Sequence, residues 1–149
     1  MIVQRSALVA RSAETLFDLI EAAEHYPSFL PWCAEAHIVH RDADRVSADL
    51  RVAWRGLRFE MRTRNPKRRP EYMTIHLERG PFRRFEGEWR LTPLQRTACK
   101  VQFRLDYEFD NALMTQMAGR LFDRVADTLV DAFVLRALDL PPAPAGNGG

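Results

Sequence analysis

Polar and apolar residues alternate along most of the middle of the chain. From Val46 the even positions Val46, Ala48, Leu50, Val52 and Trp54 are apolar, against Ser47, Asp49 and Arg51. After Arg55-Gly56 the odd positions take over: Leu57, Phe59, Met61 and Thr63 oppose Arg58, Glu60, Arg62 and Arg64. Met73, Ile75 and Leu77 make a third run, and Phe85, Gly87, Trp89 and Leu91 a fourth, against Arg84, Glu86, Glu88 and Arg90. The longest sets Val101, Phe103, Leu105, Tyr107 and Phe109 against Lys100, Gln102, Arg104, Asp106 and Glu108. Successive side chains of a strand point to opposite faces, so these runs predict an antiparallel sheet with one greasy and one wet face. Ile2 to Val9 reads as a first strand, and the stretch holding His37 and His40 as another.

Arg55-Gly56 reads as a two-residue hairpin turn. It pairs Trp54 with Leu57, Val52 with Phe59 and Leu50 with Met61 on the greasy side. On the wet side Arg51 then opposes Glu60 and Asp49 opposes Arg62, each pair contributing about 0.2–1 kcal/mol.

Helical spacing appears near both ends. Ser12 can cap a helix with Glu14 in its first turn, followed by Leu16, Phe17, Leu19 and Ile20. Asn111 can cap a longer one, in which Met114, Met117, Leu121, Phe122, Val125, Leu129, Phe133 and Ala137 share a face. Gln116, Arg120, Asp123, Arg124, Asp127 and Asp131 keep its other side polar. It is expected to run to about Asp139, where Pro141-Pro142 stops it, so that a domain over residues 1–140 is followed by a disordered Pro/Gly tail, 141–149.

Between the first helix and the second strand lies Tyr26-Pro27-Ser28-Phe29-Leu30-Pro31-Trp32-Cys33. Pro27 fits a helix's first turn, while Pro31 disfavours helix at Leu30. Three aromatics and a leucine therefore ride on a short, stiff elbow, as in a lid or cavity wall.

A lone amphipathic helix and a one-sided, curved sheet satisfy each other by stacking, which makes the fold class α+β. The greasy face is wider than one helix can cover, and the remainder is covered by the elbow or left hollow. The residues expected to line that hollow are Phe29, Leu30 and Trp32 from the elbow and Leu50, Val52, Phe59 and Met61 from the first hairpin. Ile75, Phe82, Phe85 and Trp89 follow, then Phe103, Leu105 and Tyr107, and Met117, Leu121, Phe122 and Val125 from the last helix.

Composition sets the class. With 149 residues, 46% hydrophobic and 28% charged, the chain is a globular domain able to bury a full core. No apolar stretch approaches the roughly 20 residues of a membrane-spanning helix. Met1-Ile2-Val3-Gln4-Arg5-Ser6 lacks the charged head and apolar run of a signal peptide. A cytoplasmic protein is expected, at most peripheral at the inner face of the membrane. Cys33 and Cys99, the only cysteines, read as reduced core residues. His25, His37, His40 and His76 have no metal-ligand spacing, so no metal is expected.

The net charge of +2 hides an asymmetry. Arg51, Arg55, Arg58, Arg62, Arg64, Lys67, Arg68 and Arg69 stand against Glu60 alone, giving that segment +7 and leaving −5 elsewhere. Arg55, Arg58, Arg64, Lys67, Arg68 and Arg69 find no partner in the hairpin register. They form a candidate surface for an anionic lipid face or for RNA phosphates. No DNA partner is expected.

Acid–base chemistry is scarce inside. The polar members of the greasy face are Thr63, the Trp54 and Trp89 indoles, Tyr107 and the Cys99 thiol. Glu86 and Glu88 fall on the outer face, beyond hydrogen-bond reach of anything within. No phosphate-binding Gly loop, nucleophile elbow or His–carboxylate constellation occurs, which leaves His25, Glu35 and Glu78 in loops. The chain reads as a binder, with no catalytic residue assigned.

Tyr26-Pro-Ser-Phe-Leu-Pro-Trp-Cys33, Gly80-Pro81-Phe82, Gly87-x-Trp89-x-Leu91 and Ala132-Phe133 resemble the coenzyme Q-binding, START-like family. That family includes bacterial ribosome-association toxins and sits among sequences labelled polyketide cyclase/dehydrase. The likeness spans about residues 1–139. It implies a helix-grip fold, about seven antiparallel strands curled around the C-terminal helix, with a ligand cavity between. It implies ubiquinone as bound ligand with no further cofactor, the elbow and Gly80-Pro81-Phe82 gating the cavity. It also implies, as the alternative, binding to the large ribosomal subunit that blocks subunit joining, and, third, a polyketide cyclase or aromatase. A prenyl tail gains little by leaving a membrane for a protein, since each buried methylene is worth about 0.8 kcal/mol in either place. Selectivity then falls to the ring, through stacking on Trp32, Trp89 or Phe82 and a donor such as Tyr107.

Overall fold

The computed structural model describes residues 1–141; the expected disordered tail falls almost wholly on residues 142–149, outside the described residues. Seven strands follow in chain order: β1 (Ile2–Val9), β2 (Cys33–Arg41), β3 (Arg45–Trp54), β4 (Leu57–Arg68), β5 (Tyr72–Arg79), β6 (Phe82–Gln95) and β7 (Ala98–Phe109). They form one antiparallel sheet in the order β1-β7-β6-β5-β4-β3-β2. Helix α1 (Ala13–Glu21) and a 3₁₀ helix over Ala23–Ser28 follow β1, and α2 (Ala112–Asp139) closes the chain. This is the helix-grip arrangement, a curved sheet around a long C-terminal helix.

Local chemistry sets the boundaries. The Ser12 hydroxyl accepts from the Thr15 backbone N–H at 3.1 Å, and Asn111 Oδ1 accepts from that of Met114 at 2.9 Å. At the far end of α2, Arg11 donates to the Leu138 carbonyl at 3.0 Å and to that of Leu140 at 3.3 Å, meeting carbonyls that have no helical partner. The first hairpin turns at Arg55 (φ 48°) and Gly56 (φ 85°), both left-handed as a type I′ turn requires. Its register pairs Trp54 with Leu57, Val52 with Phe59, Arg51 with Glu60, Leu50 with Met61 and Asp49 with Arg62, as expected.

α2 lies over β1 and β7 and against α1, which leaves the inner face of β3 to β5 less covered. Phe17, Leu16, Ile20, Leu121 and Phe133 make the tightly buried part of the core, and Cys33 and Cys99 are buried, free thiols. On β6, Gly87 sits where a Cβ would meet Ile75 at 3.2 Å and Leu105 at 3.5 Å. Its missing side chain lets those two lean inward over the sheet.

Candidate ligand cavity

A hollow of about 110 Å³ lies between the sheet, α2 and the segment that follows α1. Strand alternation supplies Val46, Ala48, Leu50 and Val52 from β3, Met61, Thr63 and Asn65 from β4, and Ile75 from β5. Phe85 and Trp89 come from β6, Phe103 and Leu105 from β7. Leu121, Val125, Leu129 and Phe133 recur every four residues along α2, with Phe122 beside them. Ile20, Glu21, Ala23, Tyr26, Leu30 and Trp32 close the α1 side. The hollow is smaller than the about 300–1,000 Å³ that drug-sized ligands occupy. It takes a ring-sized group as it stands; anything longer must widen it or run outside.

Of the residues expected on this wall, Leu30, Trp32, Leu50, Val52, Met61, Ile75, Phe85, Trp89, Phe103, Leu105, Leu121, Phe122 and Val125 are there. Phe29, Phe59, Phe82, Tyr107 and Met117 are not. Phe82 stacks on Phe109 with ring centroids 4.9 Å apart and meets Phe59 at 6.0 Å, so Gly80-Pro81-Phe82 belongs to a packed end of the core and not to a gate. Tyr107 is spent in the same cluster, 5.1 Å from Phe122, and its hydroxyl meets the Met1 sulfur at 3.1 Å. It offers no donor to the hollow. Phe29 packs edge-on to Phe133 at 5.2 Å with Arg136 over its ring, and Met117 is half-exposed on α2. Trp54 sits at the hairpin tip under Arg55, 4.6 Å from the guanidinium.

The missed wall residues mostly continue patterns already visible: Val46 and Ala48 on β3, Leu129 and Phe133 on α2, and Asn65 two residues beyond Thr63. Lys67 comes next in that series, so it turns inward. Its side chain is 7% exposed, and it forms an ion pair with Glu21, which also meets Arg41 at 3.5 Å. Replacing Lys67 by Met leaves Glu21 to Arg41 alone in a poorly solvated place. A loss of about 2–3 kcal/mol is expected, most of it returning when Glu21→Gln is added; urea unfolding of both variants checks this.

The titratable groups on the wall are Glu21 and Tyr26. Glu21 is held by its cations, and the Tyr26 hydroxyl donates to the Ile20 carbonyl. Burial, then the charges of Cys33, Glu24 and Glu21, pushes the Tyr26 phenol far above its ordinary range. Burial likewise raises the Cys33 thiol to about 11, keeping it protonated and unreactive at neutral pH.

The basic stripe is largely neutralised. Arg51 meets Glu35 at 3.1 Å and Glu60 at 3.5 Å, and Arg62 grips Asp49 with bonds of 2.6 and 2.8 Å. Arg69 grips Asp18 in the same way at 2.7 and 2.9 Å, and Arg68 lies 3.7 Å from Glu71. Lys67, Arg68 and Arg69 are therefore not the unpartnered cations that the hairpin register left them, because their acids come from α1 and from the following turn. Among the described residues, Arg55, Arg58 and Arg64 have no acidic partner within 4.0 Å. No helix among them is long and apolar enough to cross a membrane.

Comparison with known proteins places this geometry. "Ribosome association toxin RatA" of Escherichia coli (strain K12) is 35% identical over 138 residues, covering 93% of this chain and 87% of that protein. "Coenzyme Q-binding protein coq10, mitochondrial" of Schizosaccharomyces pombe is 26% identical, covering 89% and 84%. A START superfamily protein from Mycobacterium smegmatis shares the fold at a TM-score of 0.78, with 22% identity over 94% of this chain and 99% of that one. Residues 9–134 match the family described as "Polyketide cyclase / dehydrase and lipid transport", and the chain belongs to that family.

Proposed function

We propose that the protein binds a hydrophobic ring-bearing ligand in the hollow, a polyprenyl quinone such as ubiquinone, as a carrier without catalysis. The observation that carries this reading is the wall itself: aromatic and aliphatic side chains on every side, with the one carboxylate locked in ion pairs. Trp32, Trp89, Phe85 and Phe103 offer ring faces, while the volume admits a head group more readily than a tail. The relative named as coenzyme Q-binding supports the ligand class. A cyclase reading has less behind it, since general acid–base chemistry needs a group free to exchange a proton within reach of the substrate. Protein isolated from its own host is expected to carry quinone, detected by solvent extraction and mass spectrometry. Repeatedly empty preparations from respiring cells would contradict the reading.

A second reading is association with the large ribosomal subunit; the relatives at 35% identity named "Ribosome association toxin RatA" favour ribosome association as such. Of the cations first considered for it, Arg55, Arg58 and Arg64 stay free of acidic partners. Reversing Arg58 and Arg64 to Glu is expected to weaken co-sedimentation with large subunits by at least tenfold at low salt, and little at high salt where binding has already faded. Unchanged sedimentation would remove this reading.

A further inference from the structure

The solvent face of α2 is its own complement. Leu113, Met117, Arg120, Arg124, Asp127 and Asp131 follow one another at alternating spacings of four and three residues, which keeps them in one stripe along the helix. Leu135 and Leu138 extend the stripe to the C-terminal end. Four of the nine large hydrophobic side chains that stand exposed among the described residues lie on it: Leu113 (63%), Met117 (50%), Leu135 (65%) and Leu138 (41%). Apolar residues scattered singly over a surface mean little, but these bracket a charged middle. Arg120 and Arg124 repel each other four residues apart, and so do Asp127 and Asp131. Asp127 meets Arg5 at 3.2 Å. Arg120, Arg124 and Asp131 have no oppositely charged partner within 4.0 Å among the described residues.

We propose that two copies of the chain pair through this stripe, α2 antiparallel to α2 about a two-fold axis passing between Val125 and Ala126. That register sets Leu113 opposite the second copy's Leu138, and Met117 beside the second copy's Leu135. It sets Arg120 opposite the second copy's Asp131, and Arg124 opposite the second copy's Asp127. The axis repeats every contact, so the same patch serves both copies, with Arg–Asp pairs flanked by apolar ends. Packed helices lie about 8–10 Å apart, within reach of an arginine side chain. From Leu113 to Leu138 the seam is about 37 Å long at the helical rise per residue. A parallel pairing fails on charge, since it sets Arg120 against Arg120 and Asp131 against Asp131. The hollow is lined by the opposite face of α2, through Leu121, Val125 and Phe133, so the pairing does not depend on what the hollow holds.

Sedimentation velocity of the full chain over about 1–300 μM spans the range in which small, partly polar interfaces associate, and a monomer–dimer equilibrium is expected within it. Arg120→Glu and Asp131→Arg, each alone, set like charges opposite each other on both sides of the axis and are expected to weaken association by about tenfold or more. Mixed in equal amounts, the two variants restore opposite charges at both places, and a heterodimer within about threefold of wild-type affinity is expected. That restoration excludes misfolding as the cause of the single losses. Leu135→Asp is expected to weaken the dimer without rescue by either variant. Leu113→Cys mixed with Leu138→Cys is expected to cross-link under mild oxidation faster than either alone, Cys33 and Cys99 being buried. Association that survives both charge reversals, or Leu113→Cys cross-linking mainly to itself, overturns the antiparallel pairing. A wild-type chain that stays monomeric throughout overturns it as well. If Leu135→Asp then lowers co-sedimentation with large ribosomal subunits, the face belongs to that partner instead.

Discussion

Ala48→Phe is expected to abolish ligand binding while leaving the protein folded. Ala48 is 2% exposed on β3, directly opposite Thr63 on β4, and forms part of the wall. A benzyl group there enters a hollow of about 110 Å³ and takes up most of the room a ring would need. Adding atoms to a filled core usually costs about 1–3 kcal/mol. Here the new ring enters empty space and buries apolar surface, worth about 25 cal/mol per Å², so the melting temperature is expected to stay within a few degrees of wild type or to rise. Affinity for decylubiquinol is expected to fall at least a hundredfold, equivalent to about 2.7 kcal/mol. Unchanged affinity in a folded variant would mean that the ligand binds elsewhere.

Phe133→Ala is expected to be the most damaging single truncation for stability. Phe133 is 2% exposed on α2 and meets Tyr26 at 5.4 Å, Phe29 at 5.2 Å and Trp89 at 5.0 Å. It touches the elbow, the sheet and the hollow together, so its loss both opens a void and frees the elbow. Removing a buried phenylalanine costs about 3–5 kcal/mol. For a chain of this length that lowers the melting temperature by roughly 10–15 °C. Thermal unfolding followed by circular dichroism reads it; a fall of less than about 3 °C would show that this aromatic seam does not fasten the elbow to α2.

The fold was largely legible because alternation and turn chemistry agree. Once Arg55-Gly56 is read as a tight turn, the β3–β4 register follows, down to the Arg62–Asp49 pair. The site was legible only in part, since alternation tells which face a residue is on and not how far along the curved sheet it sits. Phe82 and Tyr107 share the inner face with Trp89 yet lie at the end where the aromatic rings fill the interior. Glu21 could not be found by pattern, because only the approach of α1 to β4 brings it to Lys67. Asn65 and Lys67 could have been: they extend the odd-numbered series Leu57, Phe59, Met61, Thr63, and polarity alone hid them. Asn65 opposite Val46 and the buried Lys67 side chain opposite Met73 show that β4 keeps facing inward almost to its end.

The most direct test of the hollow as a binding site is a set of intermolecular nuclear Overhauser effects between methyl-labelled protein and 4-hexylphenol or decylubiquinol. Ligand protons are expected to reach the methyls of Ile75, Leu105, Leu121 and Val125, which line the interior. Contacts confined to exposed methyls such as those of Leu8, Leu94 and Leu135 would place the ligand on the outside and contradict the account.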